Sequence, residues 1–181
     1  MKSALCFLAQ GFEEMELVAP VDLLRRADVR VVVAGVGLGD DLMATGRNGL
    51  ALRADTTLGA VAEETFDLVV VPGGPGHTIL RDDPTVQRLL RKHDQAGALL
   101  AAICAGPTVL HATGVLGSAP YTAHFSVADT LPDIRAEAVV VSGRIITSQG
   151  AGTAHLFGLA LVKALCGEEA AAEIARSVCF P

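Results

Sequence analysis

The apolar positions of this chain fall into two rhythms. Four short runs, Ser3–Ala9 (SALCFLA), Val29–Val36 (VRVVVAGV), Asp67–Val71 (DLVVV) and Ala98–Ile103 (ALLAAI), are almost continuously apolar. They are too short for helices and predict strands buried on both faces, the habit of a parallel sheet. Between them the apolar spacing changes to that of amphipathic helices. In residues 13–27, Leu17, Val21 and Leu24 recur at helical spacing, with acidic residues crowding the start and Arg25 and Arg26 at the end, as a helix dipole prefers. Pro20 lies inside this stretch and cannot donate to the Glu16 carbonyl, so the helix is either kinked beside Glu16 or starts later than its composition suggests. Thr57–Glu64 reads as a short helix. Asp83-Pro84 opens another, an N-cap residue followed by proline at the first position, and Gly97 stops it. Helical patterns also begin at Thr108–His111, after the Gln149–Gly152 turn as far as about Leu165, and after Gly167. Thr45–Asp55 reads as a short hairpin or edge piece, Tyr121–Ser126 as a short extended piece, and Ala138–Ser148 as two strands around Ser142-Gly143. The alternation predicts an α/β sandwich around a mostly parallel sheet, with residues 1–181 forming a single domain.

In such a sheet, ligands bind at the carboxyl ends of the strands. The residues just beyond those ends are Gly11–Glu16, Gly73–Gly76 and Cys104–Gly106, so three loops are expected to converge on one cleft. Cys104 stands where a buried strand, a sharp turn and a helix meet, followed by the small residues Ala105 and Gly106 and then Pro107. That is the construction of a nucleophile elbow. A thiol at a helix N-terminus faces free N–H groups and the positive end of the dipole, so its pKa is expected to fall. The competing reading is a core cysteine, since free Cys is among the most buried residue types. Glu16 alone is an ordinary helix-start carboxylate; beside Cys104, burial would raise its pKa and let it donate a proton. His124 is either a catalytic partner or a satisfied core histidine. His77, next to the Gly73-Gly74 loop, either lines the pocket or fits a surface helix start; His93 and His111 read as structural or exposed, and His155 as packed on its apolar helix. Cys6, Cys166 and Cys179 have no elbow context and read as filler or surface thiols. The Gly73-Gly74-Pro75-Gly76 loop lacks the Gly-Lys-Ser/Thr ending of a phosphate loop and suits a tight turn with an oxyanion role.

The totals narrow the function classes. A formal charge of −6, with no basic cluster beyond Arg25-Arg26 and Arg91-Lys92, argues against a nucleic-acid footprint. No apolar run approaches the ~20 residues of a membrane span, and the start, MKSALCFLAQGFEE, lacks a signal-peptide pattern. Four cysteines without paired C-x-x-C spacing fit a reducing cytoplasm.

Together, GFEEMELVAPVDLLRRA, DLVVVPGGPG, LLAAICAGPTVL and RIITSQGAGTAHLFGLALVKAL resemble, in order and over nearly the whole chain, the ThiJ/PfpI superfamily, in particular its Parkinsonism-associated deglycase (DJ-one) branch. The resemblance implies a flavodoxin-like three-layer sandwich, a homodimer, no metal and no organic cofactor. By position it implies Cys104 as nucleophile, Glu16 as the glutamate bonded to the thiol, and His124 as the histidine set near it. Gly73, Gly74 and Ala105 match the backbone groups facing the substrate oxygen. Arg47, in TGRN, matches an arginine near the pocket entrance and dimer interface, although the family's usual Ser-Arg-Asp is altered here. Two relatives' chemistries are excluded by departures. Ala105 follows the cysteine where the protease-like branch has histidine, and neither His124 nor His155 begins the His-x-Glu of glutamine amidotransferases. The resemblance implies a glutathione-independent glyoxalase or deglycase acting on methylglyoxal, glyoxal or their protein and nucleotide adducts. A redox sensor or chaperone working through Cys104 oxidation uses the same residues.

Overall fold

Each continuous apolar run becomes a buried strand. The computed structural model describes residues 1–181. β1 (Ser3–Leu8), β2 (Arg30–Gly35), β6 (Leu68–Val71) and β7 (Leu99–Ile103) lie side by side and parallel. The full sheet has seven strands in the order β5-β2-β1-β6-β7-β9-β8, adding β5 (Thr56–Thr57), β8 (Val139–Ser142) and β9 (Ile145–Ser148). Only the β8–β9 pair is antiparallel, the hairpin expected around Ser142-Gly143. β3 (Met43–Thr45) and β4 (Ala51–Arg53) form a separate two-stranded hairpin.

Helices flank the sheet in two groups. α1 (Glu14–Arg26) packs on α6 (Ala154–Cys166), which carries α7 (Glu168–Ser177); α2 (Leu58–Val61), α3 (His77–Asp82), α4 (Pro84–Gln95) and α5 (Pro107–Thr113) pack among themselves and on the sheet. The product is a three-layer α/β fold. Phe7, Leu5, Leu8, Val69, Val70, Leu100 and Phe157 are fully buried within one continuous apolar core.

Several expectations change in detail. α1 begins at Glu14, so the later start that Pro20 allowed does not occur, and the helix runs through Pro20 to Arg26. Tyr121–Ser126 forms no strand: the chain is irregular to His124, then makes a single 3-10 turn at Phe125–Val127. α3 does start at His77, but its extent was not legible, because Leu80 is its one buried residue and leaves no apolar period to read. The expected helix over Thr57–Glu64 shrinks to one turn, α2. The hairpin β3–β4 is held to α1 by Glu14, whose carboxylate accepts from the Asn48 N–H (2.8 Å), the Asn48 Nδ2 (3.0 Å) and the Leu50 N–H (3.3 Å). These bonds keep the Glu14 carboxyl below the usual carboxylate range, against the effect of burial. The hairpin tip thus lies against the start of α1, beside the carboxyl ends of the strands.

Candidate active site

Cys104 directly follows β7 with φ +64°, in the left-handed region that L-residues rarely adopt. Such a residue costs of order 1–3 kcal/mol and must be held by its surroundings. Three bonds hold this one. The Cys104 N–H donates to the Ser148 carbonyl (2.9 Å), the Cys104 carbonyl accepts from the His124 N–H (2.9 Å), and the Gly106 N–H donates back to Ile103 (2.8 Å). The elbow expected from the small residues around Cys104 is therefore present, and Pro107 starts α5 immediately after it.

Glu16, in the first turn of α1, is only 1% exposed, and its carboxylate borders the same small space beside Gly150 as the thiol. Its Oε2 accepts from the Gly73 N–H at 3.0 Å. Gly73 must be glycine, because a Cβ there would lie 2.5 Å from Glu16 Oε2 and 2.7 Å from Cys104 Cβ. Glu13 caps α1 through a 2.9 Å bond from the Glu16 N–H to its Oε2, and its own N–H donates to Gly73 O at 3.3 Å. One acidic residue thus ties the helix start to the Pro72-Gly73-Gly74 loop and fixes where Glu16 points.

Burial, reinforced by the negative charge of Glu13, raises the Glu16 pKa to about 7, as expected of an acid enclosed beside a thiol. The expectation for Cys104 is overturned. Burial first, then the charge and hydrogen bond of Glu16, push its thiol up to about 12, while the Gly74 and Ala105 N–H groups pull weakly the other way. A helix N-terminus stabilises charge by about 0.3–1 kcal/mol in ordinary settings; desolvation opposite a carboxylate is larger. Between these two values the pair holds one proton, so the thiolate forms when Glu16 accepts it.

Gly150, just beyond β9, closes the site. A single carbon added to it would lie 3.5 Å from His124 Cδ2, 3.8 Å from Glu16 Oε1 and 3.9 Å from Cys104 Sγ. All three side chains therefore border one small space. This fourth loop was read from the sequence only as a turn into α6; its position at the same end of the sheet as the other three was the available signal. The His124 ring makes no hydrogen bond to the thiol. Its Nδ1 accepts from the Ser126 N–H (3.2 Å) and lies 2.8 Å from Ser126 Oγ, which puts the proton of the neutral ring on Nε2. Gly74 and Ala105 present their N–H groups toward the sulfur. Arg47 sits exposed on the hairpin tip, its N–H bonded to Phe12 O (2.8 Å), close enough for its charge to lower the Glu16 pKa.

The other histidines and cysteines lie elsewhere. His93 is fully buried, and His77 starts α3 with its Nδ1 2.9 Å from Gly74 O. His155, expected to be packed on its apolar helix, is exposed on α6 with its ring stacked toward Phe180. Cys6 is buried; Cys166 and Cys179 are surface thiols. No three His, Cys, Asp or Glu side chains gather as a metal-ligand set, and no helix is long and apolar enough to cross a membrane.

Comparison with known proteins covers the same residues. The profile of the DJ-1/PfpI family matches residues 2–164. Protein dj-1beta of Drosophila melanogaster is 39% identical over 98% of this chain and 96% of its own length. Glutathione-independent glyoxalase DJR-1.2 of Caenorhabditis elegans is 36% identical over 99% and 97%. Among solved structures, oxidised DJ-1 of Toxoplasma gondii superposes with a TM-score of 0.94 at 35% identity, covering 99% of both chains. By fold, by sequence and over nearly its whole length, the chain belongs to the DJ-1/PfpI family.

Proposed function

We propose that the protein is a cofactor-free, glutathione-independent glyoxalase that converts methylglyoxal or glyoxal, free or released from adducts, to lactate or glycolate. The observation that carries this reading is the shared space at Gly150, where one carbon atom meets the thiol, the buried carboxylate and the histidine together. The glyoxalase name of the Caenorhabditis elegans relative points the same way.

The chemistry needs no outside oxidant. The Cys104 sulfur adds to the aldehyde carbon as its proton passes by way of Glu16 to the carbonyl oxygen, giving a hemithioacetal and leaving Glu16 ionised. The Gly74 and Ala105 N–H groups, with the Gly73 loop behind them, face the developing oxyanion. Glu16 then carries a proton from the former aldehyde carbon to the neighbouring carbonyl carbon by way of an enediol, so the first carbon is oxidised to a thioester as the second is reduced to an alcohol. Water cleaves the thioester, returning the thiol and releasing the hydroxy acid. His124, with its Nε2 proton, orients the carbonyl or the water. Arg47 at the entrance favours the ionised Glu16. The family resemblance adds a homodimer, in which this entrance would lie near the partner.

Lactate formation from methylglyoxal without glutathione tests the reading. The wild-type chain should turn over, while Cys104→Ser and Glu16→Gln should each lose about a hundredfold or more with their circular dichroism unchanged. Absence of turnover in the wild type would overturn the proposal. It would favour a second reading, supported by the oxidised state of the Toxoplasma gondii relative: peroxide oxidises Cys104 in two steps to a sulfinate, each releasing water, and protonated Glu16 holds the product. Intact mass after peroxide titration, with the modified cysteine mapped, separates the two.

A further inference from the structure

Gly150 and His124 also border a cavity of about 670 Å³, lined by Phe125, Arg135 and Gln149 among others. That volume is in the range of about 300–1,000 Å³ that drug-sized ligands fill, and far more than a three-carbon dicarbonyl needs. Gly150 and His124 belong to both: they line the cavity, and a carbon added to Gly150 would lie 3.5 Å from His124 Cδ2 and 3.9 Å from Cys104 Sγ.

The lining has a definite chemistry. Phe125 is 80% exposed, and its ring leans on His124 with centroids 4.0 Å apart and planes at 34°, leaving the ring's other face free. A large exposed aromatic side chain at a pocket edge is a contact surface awaiting an apolar or planar partner. Arg135 is the one fully charged residue in the lining and no carboxylate joins it there. It makes no ion pair with any acidic residue, Asp133 and Glu137 included. Gln149 Nε2 is committed to Ala136 O at 2.8 Å, which fixes the floor and leaves the amide oxygen as an acceptor.

We infer that this cavity is a substrate-tail subsite, and that the preferred substrates are 2-oxoaldehydes carrying a planar group that stacks on Phe125 and an anionic end that pairs with Arg135. The inference rests on the glyoxalase reading for the reacting end, and concerns only what that end is attached to. An arginine without an acidic partner in the lining of an open pocket favours a carboxylate or phosphate through charge-assisted hydrogen bonds.

The test compares initial rates with methylglyoxal, phenylglyoxal and 4-carboxyphenylglyoxal, taken early because arylglyoxals also modify arginine slowly. The wild-type chain should favour 4-carboxyphenylglyoxal over methylglyoxal in kcat/KM by about tenfold or more. Arg135→Gln should lower that ratio about tenfold and bring the carboxylated substrate level with phenylglyoxal; Phe125→Ala should lower the ratio of both aryl substrates to methylglyoxal. Ratios unmoved by either variant would overturn the subsite. A second readout avoids turnover: terephthalate, which cannot react with a thiol, should bind Cys104→Ser protein by calorimetry, and Arg135→Gln in that background should weaken it about tenfold. No binding overturns the subsite, whereas binding without turnover of any of the three aldehydes overturns the glyoxalase reading alone.

Discussion

At the scale of single residues, the site is governed by who stands next to Glu16. Glu13 places a second negative charge beside it and raises its pKa, while also capping α1 through the Glu16 N–H. Glu13→Gln keeps an acceptor for the cap but removes the charge. If Glu16 must be ionised to take the thiol proton, activity rises with pH through about 7 in the wild type. The glutamine variant should then move that limb to lower pH, read from a kcat/KM profile on methylglyoxal. An unmoved limb would separate Glu13 from the titration. Glu13→Ala should lose the cap as well, at about 1 kcal/mol of stability. The sequence displayed Cys104 and Glu16 clearly, because strand–cysteine–small–small–proline and an acidic helix start are local patterns. It misled on the direction of the cysteine's pKa for the same reason: the dipole of its own helix is local, whereas the burial and the facing carboxylate come from a residue far away in the chain.

At the scale of elements, α1 and α6 come close enough to need a glycine. A Cβ on Gly158 would lie 2.6 Å from Leu23 Cδ1 and 3.1 Å from Pro20 Cα. The approach is what lets α1 lie flat over β1 and β2 and hold Glu16 at the sheet's end. Gly158→Val should push the helices apart and cost about 1–3 kcal/mol, seen as a Tm several degrees lower. A Tm equal to the wild type would mean that Leu23 turns aside freely. Strands were the most legible elements, since four parallel ones carry unbroken apolar runs. Elements with little buried surface were the least: α3 contributes only Leu80 to the core, and the segment before Phe125 is fixed by bonds to Cys104 and Thr147 that no periodicity encodes. The Gly150 loop and the Phe125–Arg135 cavity escaped for a related reason, because their residues meet only once β9 is in the sheet.

At the scale of the whole molecule, His93 links α4 to the strand side of the core. Its Nε2 accepts from the Phe66 N–H (3.0 Å) and its Nδ1 lies 2.8 Å from Leu89 O, a neutral ring with both nitrogens used. Burial holds its pKa below the ordinary 6.5. The unfolded chain therefore takes up a proton there before the folded one does, and the stability it contributes, complete above about pH 6.5, drains away as the pH falls. Urea midpoints at about pH 8 and pH 5 should fall less for His93→Gln than for the wild type, although the variant is weaker at pH 8; equal falls would acquit His93. The same architecture sets a timetable for synthesis. The backbone of Cys104 is pinned by the Ser148 carbonyl, and the wall opposite its sulfur is Gly150, more than forty residues downstream. A nascent chain that has just delivered its cysteine from the ribosome carries an ordinary, unhoused thiol. The site is assembled only when the last strand of the parallel run brings the Ser148 carbonyl and Gly150 to the elbow.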